Sequence, residues 1–443
     1  MEISALSKIY KEAGIVGAGG AGFPTYAKLN SNAKTILLNC AECEPLLRLH
    51  RQLLKFHAPE IVSAFDETRK SVGAEEGIVC IKEHYKGAID AVTALLPEYP
   101  ALKLKVLRKV YPAGDEVMLI YDATGKVVRP GGLPIESGVA VFNVETMYNA
   151  YHAIKGEPLV SKLVTIAGEV AHPKTLRLPL GAKLSEAIKL AGGETIKDYV
   201  YWVGGPMMGR IASPSDPVTK TTNSVFVLPS NSFVVNKLRS DVKIEIGRAA
   251  ASCCQCRTCT DMCPRNNVGH PIEPHKIMRA AACNDFSDVS AFLNTFYCCG
   301  CGVCELYACP QGLSPRKLIQ TIKGALRANG IKPPKDTQAS EVNPMRDFRR
   351  VPLERLVTRL GVKKYQADAP LDNQLIDGFS EVNILCSQHI GAPAVPVVKV
   401  GDKVERGQVV AKAAEGLSVN VHASISGIVT GVTPKCITVK KVD

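Results

Sequence analysis

Residues 253–264 read CCQCRTCTDMCP, and residues 298–310 read CCGCGVCELYACP. In the first stretch Cys253, Cys256, Cys259 and Cys263 are spaced C-x2-C-x2-C-x3-C, with Pro264 next. In the second, Cys298, Cys301, Cys304 and Cys309 repeat the pattern with one more residue in the last gap, and Pro310 follows. This is the thiolate spacing of a [4Fe–4S] cubane. A tight C-x2-C-x2-C loop turns three sulfurs inward, and the fourth must come from elsewhere. Two such runs predict two cubanes, and therefore a chain that moves single electrons.

In two-cluster ferredoxins the last cysteine of each run ligates the other cluster. The expected sets are Cys253, Cys256 and Cys259 with Cys309, and Cys298, Cys301 and Cys304 with Cys263. Cys254 and Cys299 break the three-residue rhythm and read as non-ligands. The alternative is a pair of structural zinc sites. Zinc motifs usually separate two C-x2-C knuckles, instead of setting three cysteines in a row before C-P.

The rest of the chain sets the frame. Its 443 residues suggest three or four domains, at roughly 100–200 residues each. With 46% apolar and 22% charged residues, the composition is that of an ordinary globular protein. No apolar run approaches the ~18 residues of a membrane span. The N-terminal MEISALSKIYKEAGIVG spaces Ile3, Leu6, Ile9 and Tyr10 as an amphipathic helix does, and lacks the features of a signal peptide. A cytoplasmic location is expected, where 16 cysteines read as metal ligands and free thiols. Net charge is +12, and residues 316–364 alone carry 13 Lys/Arg against 4 Asp/Glu, or +9. No nucleic-acid fold motif accompanies that stretch, so nucleic acid is not expected as a partner. It reads first as a solvated basic connector, and second as a docking surface for an acidic redox protein.

Five segments follow from the patterns. Residues 1–157 alternate helices with strands at Thr35–Asn39, Gly77–Ile81 and Leu102–Val110, as an α/β domain does. Residues 158–238 hold short strands around a His-Pro turn, a helix ending at Gly192–Gly193 and the strand YWVGG, the outline of a β-grasp module. Residues 239–330 are a helical two-cluster domain, and 331–380 the basic linker. Residues 381–443 are all-β. There VVKVGDKVERGQVV (397–410) gives the punctuation of a lipoyl-like barrel-sandwich. In such carriers a lysine sits about eleven residues before the second glycine. Counting back from Gly427 gives Gly416, so no lipoyl attachment is expected.

The glycine-rich loop GAGGAGFP (17–24) contains G-x-G-x-x-G at Gly17, Gly19 and Gly22. A Rossmann turn follows a strand and opens a helix. Here a helix precedes the loop, so this is not that turn. The physics can still hold: glycines let backbone approach a phosphate, and a helix starting near Pro24 offers free N–H groups. Three further segments, NCAECEP (39–45), YPAGDE (111–116) and PGGLPIESGVAVFNVET (130–146), combine glycines with acids at strand ends, where α/β proteins bind ligands. Cys40 and Cys43 have no second pair nearby and read as free thiols.

Together these segments resemble the flavin- and NADH-binding subunit of respiratory complex I, and more closely the RnfC subunits of ion-translocating ferredoxin:NAD oxidoreductases. The order is distinctive. In RnfC the barrel-sandwich precedes the flavin domain, whereas here it follows the clusters, as in PduS-type cobalamin reductases. The doubled cysteines and the C-x4-C-P ending point the same way. The resemblance implies two [4Fe–4S] clusters, FMN, and NADH as substrate. It also implies a corrinoid or a corrinoid enzyme as electron acceptor, and a place inside a propanediol-utilisation microcompartment. A redox-protein partner on an Rnf-like complex is the competing implication.

It assigns roles as well. Gly17, Gly19, Gly20 and Gly22 would line the flavin phosphate and ring, with Lys28 reaching the phosphate or ribityl chain from the following helix. Asn39 and Glu42 would hydrogen-bond the flavin, with Glu44 nearer the nicotinamide nucleotide. Gly114, Asp115 and Glu116 would close the far side, and Asn143 and Thr146 would contact the phosphate. The complex I pattern has an acid at the position of Ala41 and an Asn at that of Phe142. Loss of those two contacts predicts weaker flavin binding.

Overall fold

The computed structural model describes residues 1–442. The first domain is built on a four-stranded parallel sheet, in the order Leu102–Leu107, Glu76–Lys82, Thr35–Cys40, Val139–Asn143. Near-continuous apolar strands such as TILLNC are what a sheet covered on both faces requires. Helices Ile3–Glu12, Leu49–Phe56, Ala58–Val72, Lys86–Leu95 and Val144–Ile154 pack one face. Helix Glu116–Thr124 covers the other, where Val268 of the cluster domain joins the core. The carboxyl ends of Thr35–Cys40 and Val139–Asn143 meet at one edge, the usual place for a ligand in an open α/β sheet.

The β-grasp module contributes five strands to a six-stranded sheet and lays helix Leu184–Leu190 against it. The sixth strand, Leu371–Leu375, comes from the expected linker and pairs in parallel with Lys174–Pro179. Residues 331–380 therefore differ from a solvated connector. Arg346 (2.7 Å) and Arg350 both bond the Asp122 carboxylate of the flavin domain. Val351–Pro352 pairs with Val110–Tyr111, and helix Leu353–Arg359 buries Leu356 and Val357. The basic charge is spent partly on straps across the molecule, which composition could not reveal.

The cluster domain sets helices Val242–Ser252, Pro274–Cys283 and Pro315–Ala328 around the two cysteine loops. The C-terminal module folds as two small antiparallel sheets that share one core with the β-grasp module. Lys220 ties three modules together. It is 1% exposed and donates to Gly14 O (2.7 Å) and Asn420 O (3.1 Å), and burial lowers its pKa to about 7. No helix is long and apolar enough to cross a membrane among the described residues.

Candidate functional site

A cavity of about 370 Å³ opens at the carboxyl edge of the parallel sheet. Gly17, Gly19 and Gly20 form one wall. The loop is closed by Gly17 N–H donating to Phe23 O (2.9 Å), and is seated on helix Val144–Ile154 by Ala18 N–H donating to Thr146 Oγ1 (3.0 Å). A Cβ at Gly19 would stand 2.9 Å from Asn143 Nδ2, so only backbone fits there. Gly22 does not line the cavity. At φ +69° its Cα faces Thr221 and Gln388 of other modules, where a Cβ would meet atoms at 2.9 and 3.0 Å. Its glycine is a packing requirement, not part of the cradle. The expected helix after the loop is a four-residue 3-10 turn, Thr25–Lys28, because the chain leaves immediately for Leu29 in extended conformation. Lys28 still lines the cavity, held by Glu116 Oε1 (3.1 Å) and Val141 O (3.1 Å).

The opposite wall comes from the end of strand Thr35–Cys40. Asn39 is committed to structure: its Nδ2 donates to Gly114 O (3.0 Å) and its Oδ1 accepts from Ala41 N–H (3.0 Å). Gly114 sits in a tight place, where a Cβ would lie 3.1 Å from Cys43 Sγ and 3.2 Å from Asn39 Oδ1. Asp115 caps helix Glu116–Thr124, and its Oδ2 takes an ion pair with Arg265 (2.8 Å), two residues beyond Cys263. Asn143 likewise caps helix Val144–Ile154, with Nδ2 3.3 Å from His50 Nε2. Phe142 lines the cavity and Ala41 is fully buried, so neither position offers a polar contact.

Two carboxylates remain incompletely satisfied. Glu42 Oε1 accepts from His50 N–H (3.2 Å), while its buried Oε2 has no partner. Glu44 Oε2 accepts from Met207 N–H (2.9 Å), reaching into the β-grasp loop, and its Oε1 has none. Burial raises the Glu44 pKa to about 7. Beneath them Lys82, fully buried, donates to Glu42 O (3.1 Å). A glycine cradle facing orphaned buried acceptors, in a cavity of this size, fits a flavin nucleotide.

Several wall residues carry no signal of their own in the sequence, among them Cys43, His50, Tyr111 and Met208. Cys43 Sγ accepts from Ala113 N–H (3.0 Å) and Gly114 N–H. Tyr111 Oη donates to Cys301 O (2.7 Å), and Cys299 and Cys301 themselves line the cavity. The second cysteine run is thus part of the flavin-site wall.

The cysteines gather at two further cavities. One is lined by Cys253, Cys256, Cys259 and Cys309, with Cys254 also present. The other is lined by Cys263, Cys298, Cys301 and Cys304, with Cys299 also present. Each cavity therefore holds the last cysteine of the opposite run. Burial pushes the Cys259 and Cys263 thiols up to about 12, so taking up a metal must release their protons. Among the described residues no three His, Cys, Asp or Glu converge as a single-ion site demands. Four thiols spaced around a void suit a cubane better than a zinc ion.

Four family models match in chain order. They are the Nuo51 FMN-binding domain over residues 10–152, the SLBB domain over 163–211, a 4Fe-4S dicluster domain over 252–314 and the RnfC barrel sandwich hybrid domain over 357–442. The cobalamin reductase PduS of Salmonella typhimurium is 40% identical over 432 residues, covering 97% of this chain and 95% of that protein. The chain belongs to the PduS-type cobalamin reductase family. An RnfC-type relative from the Na(+)-translocating ferredoxin:NAD(+) oxidoreductase complex of Acetobacterium woodii is more distant, 32% identical over 60% of this chain and 58% of its own. A chain of an NAD+-reducing [NiFe]-hydrogenase superposes with TM-score 0.49 at 20% identity, over 75% of this chain and 68% of that one. As a member of the PduS-type family the protein is an oxidoreductase with an FMN-binding domain and a 4Fe-4S dicluster domain. The barrel-sandwich match begins at residue 357, inside the segment expected as linker.

Proposed function

We propose that this protein oxidises NADH and delivers the electrons singly to the cobalt of a corrinoid within a propanediol-utilisation microcompartment. The balance is one NADH and two cobalt(III) giving NAD+, one proton and two cobalt(II), with a further electron needed for each cobalt(I). The observation that carries this reading is the flavin cavity walled by Cys299 and Cys301 in a chain aligned end to end with a cobalamin reductase. When bound, flavin supplies the conversion of a hydride into single electrons, which the clusters accept one at a time.

The chain's own residues do the positioning. Gly17, Gly19 and Gly20 present backbone to the flavin phosphate, with Thr146 anchoring that loop and Asn143 packed beside Gly19. Lys28 supplies a cation on the same wall. Asn39, Gly114, Asp115 and Glu116 hold the far wall rigid through the hydrogen bonds described above. Glu42 offers its unpartnered Oε2 to the flavin. Glu44 faces the nicotinamide side and can hold a proton at Oε1 near neutral pH, because burial favours its neutral form. Cys253, Cys256, Cys259 and Cys309 hold one cubane, and Cys298, Cys301, Cys304 and Cys263 the other.

Anaerobically purified protein is expected to carry about eight irons per chain, from two four-iron clusters, together with flavin. It should reduce hydroxocobalamin with NADH in the absence of membranes. Reduction of ferricyanide but not of hydroxocobalamin would remove the corrinoid from the reading. The RnfC barrel-sandwich match favours one second reading, docking on a larger redox complex. Activity that appears only with added membranes would select it.

A further inference from the structure

A second, larger cavity of about 670 Å³ lies between the β-grasp module and the cluster domain. It is separate from the flavin cavity, but Met208 and Cys299 line both and form the partition between them. Its apolar side is Trp202, Pro206 and Met208. Trp202 is held by Nε1–H donating to Gly205 O (3.0 Å). Met208 is 58% exposed and offers a flexible apolar contact at the cavity wall. At one end Cys298, Cys299 and Gly300 line the cavity.

The other side is cationic. Lys237, Arg316, Lys317, Lys323 and Arg327 all line it, against a single carboxylate, Glu305. Glu305 is already used: it accepts from Arg316 (3.0 Å) and from Lys317 N–H (2.9 Å). Among the described residues the other four cations have no ion pair. Backbone carbonyls hold three of them in place, with Lys323 Nζ donating to Cys298 O (2.9 Å), Lys317 Nζ to Leu238 O (2.9 Å) and Lys237 Nζ to Gly312 O. Those carbonyls orient the ammonium groups without neutralising them. Such an arrangement attracts an anion.

We propose that this cavity is the acceptor site, and that it takes a free corrinoid. The ring lies against Met208 and Pro206 with its edge toward Cys298–Gly300, and the phosphodiester of its nucleotide loop lies against Lys323 and Arg327. The inference rests on the corrinoid reading of the function and adds the place of binding. Three observations converge: a concave volume in the small-molecule range, an anion-seeking wall beside an apolar one, and cysteines of the run that also walls the flavin cavity. A protein partner would call for a broad face instead of a concavity.

The test is equilibrium dialysis of cyanocobalamin, and of cobinamide, which lacks the phosphate, against anaerobic holoprotein. The native protein, Lys323→Glu and Arg327→Glu are compared, and iron and flavin counts confirm that each variant is assembled. Arg327 is exposed, so its variant should fold as the native protein does. Lys323 is half-buried and donates to Cys298 O, so the Lys323→Glu result is read only at native iron content, and Arg327→Glu carries the test otherwise. Each reversal is expected to weaken cyanocobalamin binding by about tenfold or more while changing cobinamide binding much less. Equal cyanocobalamin affinity in all three proteins would overturn the site. If native protein reduces hydroxocobalamin with NADH while the variants bind as tightly as it does, the cavity is wrong and the corrinoid reading stands. If native protein neither binds nor reduces cobalamin, both fall.

Discussion

The two cysteine runs are near copies in sequence and differ in setting over their first three cysteines. The first ends helix Val242–Ser252 at the surface, where Cys254 and Cys256 are exposed. Both runs bury their last two cysteines, but the second keeps its first three, Cys298, Cys299 and Cys301, half-buried, with Cys299 and Cys301 on the flavin-cavity wall. Their loops share a backbone. Gln255 (φ +55°) and Arg257 (φ +64°) occupy the left-handed positions that Gly300 (φ +74°) and Gly302 (φ +79°) occupy in the second loop. Where the loop is open, side chains tolerate that conformation at a cost. In the second loop a Cβ at Gly302 would stand 2.7 Å from Arg316 Nη1 and push that side chain off Glu305, whereas one at Gly300 would meet only Gln320 Nε2 at 3.5 Å. The same ligand geometry is thus built once in a more exposed loop and once in a more enclosed one. On the proposed reading the second run lies between donor and acceptor cavities, and the first lies off that line.

The largest predicted effect follows from that asymmetry. Cys301→Ser should lose about half the iron and reduce cobalamin reduction to background, while NADH still bleaches the flavin. Cys256→Ser should lose a similar share of iron yet keep measurable cobalamin reduction. Equal losses of activity would break the comparison. The crossed sets sharpen it further. By electron paramagnetic resonance, Cys309→Ser should remove the signal that Cys256→Ser removes, and Cys263→Ser the one that Cys301→Ser removes. The opposite pattern would mean that each run closes its own cluster.

A smaller effect concerns Glu44. Its native pKa of about 7 lies above its ordinary 4.5, so between those values the folded protein keeps a proton that the unfolded chain has lost. Stability of the flavin-free protein should therefore fall as pH rises from 4.5 to 7, with the full cost present above 7 and none below 4.5. Urea titrations across that range should show this slope, and Glu44→Gln should flatten it. Smallest are the loop backbones. Gly302→Ala should destabilise by about 2 kcal/mol through strain and contact with Arg316. Arg257→Gly should change stability by under about 1 kcal/mol, since relief of strain is offset by a freer unfolded chain. Comparable urea midpoints for the two variants would deny that the loops differ in packing.

Local chemistry was readable from the chain, and long-range contact was not. The cysteine spacing, the glycine loop and the four-module order were all visible, because each depends on residues adjacent in sequence. Gly22 shows the limit: its motif position marks it for the cradle, yet its neighbours are Thr221 and Gln388. Asp115 and Asn143 look like ligand groups but first serve as helix caps. Cys299, read as a spare cysteine, turns out to separate two cavities. Residues 331–380 look like a solvated linker by charge, yet Arg346 and Arg350 are bound to Asp122, more than two hundred residues away. Charge counts carry no information about such partners.

The most direct test of the account is an anaerobic electron count. Limiting NADH is added to holoprotein with excess hydroxocobalamin, and cob(II)alamin is measured against NADH consumed. The account predicts two cob(II)alamin per NADH, with the flavin and both clusters returning to their oxidised spectra. NADH consumption that leaves flavin and clusters reduced and the cobalt unchanged would contradict it.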